Sequence, residues 1–128
     1  MLQAATMKFL RQLAENNNKP WFDAHREDYD AGRADFERLT DRVKQLMTDS
    51  VPELAEQQTK HCIFRIYRDV RFSKDKTPYK AHFSAYFSKG GRKYEGAGYY
   101  LHIEPGKSFA AGGLWMPSSA LLKAVLKE

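Results

Sequence analysis

The chain has 128 residues, 42% hydrophobic and 13% aromatic, with 21 basic against 16 acidic groups for a formal charge of +5. That is one domain's length, with enough apolar content to bury a core and too much for a disordered chain. No apolar run nears the roughly 18–20 residues that span a bilayer, the first residues lack a signal-peptide layout, and one cysteine, Cys62, excludes an internal disulfide, a multi-cysteine zinc site and an iron–sulfur cluster.

A cytoplasmic protein without membrane association is therefore expected. In chain order, the first fifty residues carry a helical period. Phe9, Leu10 and Leu13 share one face, and Thr6 is the expected N-cap. Asn16-Asn17-Asn18 reads as a helix stop, because Asn tolerates the left-handed conformation. Pro20 suits the first turn of a second helix, where its missing N–H costs nothing. From there Phe22, Tyr29, Phe36, Leu39, Val43 and Leu46 fall on one stripe, and Gly32 is a point where this long helix bends or divides. Asp23, Arg26, Glu27, Asp30, Asp35, Arg38 and Asp41 make the opposite, solvated face.

Val51-Pro52 ends the helical half, and after Thr59 the period becomes two. Cys62, Phe64 and Ile66 face one way, and Ile63, Arg65 and Tyr67 the other. Ala81, Phe83, Ala85 and Phe87 alternate with His82, Ser84, Tyr86 and Ser88. Gly90-Gly91 opens a loop, after which Tyr99, Leu101 and Ile103 alternate with Tyr100, His102 and Glu104. Glu104-Pro105-Gly106-Lys107 has Pro and Gly at the central positions of a type II turn. Residues 108–115 make a last strand, loosened by Gly112 and Gly113. Pro117-Ser118 starts a short C-terminal helix with Leu121, Leu122, Val125 and Leu126 on its apolar face.

Helices, then consecutive strands, then a helix define an α+β class: N-terminal helices packed on one face of an antiparallel meander. Connections among the later strands are too short for parallel crossovers. No repeat or linker divides the chain, so residues 1–128 are expected to be one domain. The absence of a stop signal at Glu128 suggests a chain cut short at its C-terminal end.

The charge is uneven. Between Lys60 and Lys93 ten basic residues face only Asp69 and Asp75, a local charge of +8 on a body of −3. Arg65, Arg68, Arg71, Lys74 and Lys80 concentrate there among Tyr67, Phe72 and Tyr79. Guanidinium groups bind phosphate or carboxylate through paired planar hydrogen bonds, and Lys adds point charge. The pattern points to a small anionic ligand held by Arg65, Tyr67, Arg68, Arg71, Lys74, Tyr79 and Lys80, with Tyr100 beside it. Salt bridges that pin a long loop are the competing structural explanation. An interaction surface whose basic loop docks an acidic partner or nucleic acid is a third option, and no helix-turn-helix, ribonucleoprotein or zinc-finger pattern backs the nucleic-acid case.

Tyr100, His102 and Glu104 share one strand face, and His82 joins them if the neighbouring strand pairs in register. A His beside a carboxylate suits general acid–base work, which makes His102 and Glu104 the candidate catalytic residues. Two His and a carboxylate also form a metal donor set, but no HExxH-like spacing backs one, and no metal or other cofactor is expected. A face of mutually bonded polar groups remains the plain alternative. His61 and Cys62 are neighbours whose side chains would point apart on a strand, so a buried, unreactive Cys62 is expected. The serines lack a nucleophile elbow, and the glycines match neither a Walker loop nor a dinucleotide fingerprint.

NNNKPWF (16–22), FRIYRDVRFSKDKTPYK (64–80), GYYLHIEPG (98–106) and GGLWMP (112–117) resemble, in order, four elements of the conserved hypothetical proteins that carry domain of unknown function 2461. The resemblance covers almost the whole chain. It implies a single module and brings no established activity. It also implies further helical sequence beyond the Trp-Met-Pro element.

Overall fold

The computed structural model describes residues 2–49, 52–88 and 98–112. Helices come first: α1 (Ala4–Glu15), α2 (Lys19–Ala24) and α3 (Arg26–Thr48), then a 3-10 turn (Pro52–Glu56) and the single-turn α4 (Thr59–Cys62). Strands β1 (Phe83–Ser88), β2 (Gly98–Ile103) and β3 (Phe109–Gly112) follow as an antiparallel sheet in the order β1-β2-β3. This is the expected α+β arrangement. The Gly90-Gly91 loop, residues 113–115 of the last strand and the C-terminal helix lie outside the described residues.

The apolar stripe folds as its spacing requires. Phe22, Phe36, Leu39 and Val43 are buried, with Met47 beside them, while Tyr29 and Leu46 pack partly buried against the same core. Phe83, Ala85 and Phe87 of β1 and Tyr99, Leu101 and Ile103 of β2 meet that stripe from the sheet. Phe36 stacks on Phe83 with ring centroids 5.4 Å apart. The helices thus cover one face of the sheet and leave its other face for different work.

Several local expectations need correction. The long helix divides at His25, between α2 and α3, and not at Gly32. Gly32 is buried inside α3, where a β-carbon would stand 3.5 Å from the Phe83 ring. Gln3, not Thr6, occupies the N-cap of α1. Thr6 is buried, and its hydroxyl donates to Asp35 at 2.6 Å. Asp35, expected on the solvated face, is 3% exposed because it also accepts from the Gln3 amide at 2.8 Å. Asn16 does end α1, with φ −131° instead of a left-handed turn. Asn18 caps α2 by accepting from the Trp21 amide, with Pro in the first turn.

Helical structure continues through α4, so Cys62 sits in a helical turn and not on a strand. It is buried, as expected. Ile63 is buried too, unlike Arg65 and Tyr67, which breaks the predicted alternation. The 63–68 segment runs extended beside 78–85, joined by isolated bridges at Ile63–Ala85 and Tyr67–Tyr79. The Glu104–Lys107 turn forms as predicted: Lys107 N–H donates to the Glu104 carbonyl at 2.9 Å, and Gly106 takes φ +75°. No helix among the described residues is long and apolar enough to cross a membrane.

Candidate functional site

The basic segment is built largely on its own hydrogen bonds. Arg68 Nη1 donates to the Thr77 carbonyl at 2.9 Å, the Thr77 hydroxyl at 2.8 Å and the Asp75 carbonyl at 3.2 Å. It also lies 3.5 Å from the Asp75 carboxylate. Arg68 therefore ties the two ends of the 69–77 loop together. Asp75 accepts from the Thr77 amide, which holds its carboxyl below the usual range, with Arg68 adding to the effect. Arg71 forks onto Asp69 at 3.0 and 2.8 Å and lowers the Asp69 pKa; both are exposed. Lys76 donates to the Val70 carbonyl. The predicted salt-bridge explanation thus accounts for Asp69 and Asp75.

Lys80 is different. Its ammonium donates to the Arg65 carbonyl at 2.7 Å and lies 5.6 Å from the Phe64 ring centre. Burial first, and then repulsion from Arg65, push its pKa down. Among the described residues neither Lys80 nor Arg65 forms an ion pair. Lys80 lines an open concavity of about 360 Å³ with Ala14, Asn17, Arg68, Asp75, Thr77, Tyr79, Ala81 and His82.

Tyr79 anchors the floor of this cleft. Its ring stacks on Phe22, centroids 4.2 Å apart, and stands 5.7 Å from that of Tyr67. Burial raises its pKa. Asn17 holds its backbone, donating to the Tyr79 carbonyl at 2.7 Å and accepting from its amide at 3.0 Å. Of the proposed ligand residues, Arg68, Tyr79 and Lys80 meet in the cleft. Tyr67 stands next to Tyr79, and Arg65 next to Lys80. Arg71 and Lys74 lie on the exposed loop, and Tyr100 belongs to the sheet face.

That face carries the second group. Phe83 pairs with Ile103, which sets His82 across from Glu104, and Ser84 pairs with His102. The condition set by the sequence for bringing His82 to this cluster is met. His102 Nε2 lies 2.8 Å from Glu104 Oε1, and its Nδ1 lies 2.9 Å from the Tyr100 hydroxyl. A carboxylate only accepts, so Nε2 carries a proton; in the neutral ring Nδ1 then accepts from Tyr100. The His102 ring lies between His82, at 4.1 Å, and Phe109, at 4.8 Å. Ser108 fixes the base of Glu104 by bonding both its amide and its carbonyl at 3.0 Å. Burial, with repulsion from His102 and Lys80 behind it, lowers the His82 pKa to about 4, so this imidazole is neutral near pH 7. His82 touches both groups: it packs on His102 and lines the cleft.

Sequence reasoning does not find Asn17, which reads as one of three equivalent asparagines. Its partner lies 62 residues away, and no local pattern marks it.

The fold and this face define a small α+β domain with an antiparallel sheet, helices on one side and a histidine–carboxylate cluster on the other. The chain matches the family of conserved hypothetical proteins with domain of unknown function 2461 over residues 5–128, and it belongs to that family. No curated protein matches it, and no solved structure does.

Proposed function

We propose that this domain binds a small anionic ligand, phosphate- or carboxylate-bearing, in the cleft between the end of α1 and the 68–82 segment. The observation that carries this is the Lys80 ammonium. It is partly buried, bonded to a neutral carbonyl, repelled by Arg65, and without a carboxylate partner among the described residues. A cation only partly screened by water and repelled by a second cation is destabilised, and an anion in the cleft relieves that cost. Arg68 lines the same cleft, and its Nε has no partner among the described residues. Arg65 and Lys74 add positive field, and Tyr79 and Tyr67 offer ring edges. Arg71, already paired, contributes least. A single buried cysteine suits a reducing compartment, and we place the domain in the cytoplasm.

The test is a thermal-shift and calorimetric titration with inorganic phosphate and with citrate at low salt. Binding of one equivalent is expected, weakened about tenfold in Lys80→Met, where one charged hydrogen bond is lost. Arg71→Ala should bind like the parent. Absence of binding, or equal binding by Lys80→Met, overturns the proposal. Affinity for a single-stranded oligonucleotide that falls steeply with salt, without affinity for phosphate, would move it to nucleic acid.

One observation favours a second reading, proton transfer on that anion by His102 or Glu104. The Tyr100–His102–Glu104 line abuts His82, which lines the cleft. Both nitrogens of His102 are engaged, so the ring would act as a relay and Tyr100 or Glu104 would face the ligand. Turnover of a phosphate- or carboxylate-ester panel that is lost in Glu104→Gln while phosphate affinity persists would support it. Inactivity of the parent chain would rule it out.

A further inference from the structure

Three side chains with metal-ligating atoms meet on the sheet face turned away from the helices. His82, His102 and Glu104 each present one donor, and the three atoms lie within 4.8 Å of one another. The strand register brings them there, because His82 stands across from Glu104 and His102 is two residues back on the same side of β2. As a purely structural network the cluster is incomplete. His82 is partly buried, yet its ring has no hydrogen bond among the described residues and packs, tilted by 30°, on a second imidazole with centroids 4.1 Å apart. A metal ion would satisfy the His82 ring and explain why two imidazoles are held together.

We propose that His82, His102 and Glu104 bind one divalent transition-metal ion of the zinc or ferrous class. Two imidazoles and a carboxylate are a donor set for those ions, whereas calcium and magnesium prefer all-oxygen shells. The supporting contacts are of the kind such a site uses. Tyr100 holds the Nδ1 side of His102 at 2.9 Å, which orients the ring and leaves Nε2 for the ion. Ser108 pins the backbone of Glu104 from both sides. The Nε2–Oε1 distance is 2.8 Å, and one proton now lies between those atoms. Two ligands on a tetrahedral zinc stand about 3.3 Å apart, so replacing that proton by the ion requires a small opening. The larger movement falls to His82, which lies in a bend one residue before β1. Three protein ligands would leave coordination positions open, and His82 also lines the cleft. Lys80 is not part of this set, so the ion and the anion can be tested apart.

The experiment uses the 128-residue chain stripped of metal by chelator and dialysis. Co²⁺ is titrated while its visible d–d bands are followed, and Zn²⁺ is titrated by calorimetry. One equivalent of each is expected, with a Co²⁺ spectrum of low coordination number. His82→Ala and Glu104→Gln should each weaken binding by more than about a hundredfold, beyond the loss of an outer-shell partner, and Tyr100→Phe about tenfold. Far-UV circular dichroism must show these variants folded; His102 is too buried to serve as the primary variant. His25→Gln and His61→Gln should bind like the parent. No stoichiometric uptake overturns the proposal. So does uptake unchanged in both His82→Ala and Glu104→Gln, or abolished by His61→Gln. Phosphate binding by Lys80 that survives in His82→Ala would leave the anion proposal standing whatever happens to the metal.

Discussion

Asn17 closes a two-bond clasp on the backbone of Tyr79, donating to its carbonyl at 2.7 Å and accepting from its amide at 3.0 Å. The side-chain amide thus mimics a strand edge and ties the α1–α2 connection to the floor of the cleft. Two hydrogen bonds in a partly buried setting contribute about 2 kcal/mol together. Asn17→Ala should lower stability by about that much in urea denaturation. Asn17→Asp keeps an acceptor for the Tyr79 amide but turns a second carboxylate oxygen, in place of the donating N–H, toward the Tyr79 carbonyl, and should be no better. Parent-like stability in Asn17→Ala would show that the clasp merely decorates the Phe22–Tyr79 stack.

Asp35 plays the same part on the far side of the helical layer. It sits in the middle of α3, yet it serves the start of α1, accepting from Gln3 N–H and Thr6 Oγ. A carboxylate at a helix N-terminus also meets the positive end of the helix dipole. Asp35→Ala leaves the buried Thr6 hydroxyl and the part-buried Gln3 amide without their acceptor and should cost about 2 kcal/mol. Thr6→Val removes one donor and leaves the carboxylate the Gln3 amide and Arg38, so it should cost about 1 kcal/mol. A larger loss in Thr6→Val than in Asp35→Ala would contradict this order.

How much could be read beforehand depends on whether a feature is periodic or tertiary. Phe36, Leu39 and Val43 follow helical spacing because one face of α3 meets the sheet, and Phe22 of α2 joins the same core. Phe83, Ala85 and Phe87 alternate for the corresponding reason. Tyr100, His102 and Glu104 could be placed on one face because strand geometry alone requires it. Asp35 could not: its charge marks it for solvent, and only the packing of α1 across α3 buries it. The 62–68 segment misleads in the opposite direction. Its apolar residues suggest a strand, but α4 and the Arg68-clamped loop hold it to isolated bridges. His82 is intermediate, since its place depends on a register that the short strands permit but do not dictate.

The two central arginines of the basic loop should separate in a stability assay. Arg68 stands at the start of the loop and binds Asp75 and Thr77 at its far end through Nη1, with its side chain 26% exposed. Arg68→Ala should therefore cost about 2 kcal/mol and make the 69–77 loop sensitive to limited proteolysis. Arg71 pairs with Asp69 in full solvent, and exposed pairs of this kind contribute little. Arg71→Ala should leave the melting temperature unchanged. Equal effects of the two variants would mean that Arg68 does not clamp the loop.

Tyr99 offers a pH-dependent test of the core. It is fully buried, and its hydroxyl has no hydrogen-bond partner among the described residues. Burial raises its pKa from 10.0 to about 12. The unfolded chain therefore gives up this proton first, so the stability tied to it is intact below pH 10 and is lost as pH rises toward 12. The loss by pH 12 is about 2 kcal/mol. Other tyrosines and lysines titrate in the same range, so the informative quantity is the difference from Tyr99→Phe. That variant should be more stable at neutral pH by about 1 kcal/mol, because a buried unpaired hydroxyl is removed without changing the ring. Its advantage should widen between pH 10 and 12, measured by urea midpoints at fixed ionic strength. A Tyr99→Phe chain that is less stable than the parent at pH 7, with a constant difference up to pH 12, would show that the hydroxyl has a partner and does not titrate in the core.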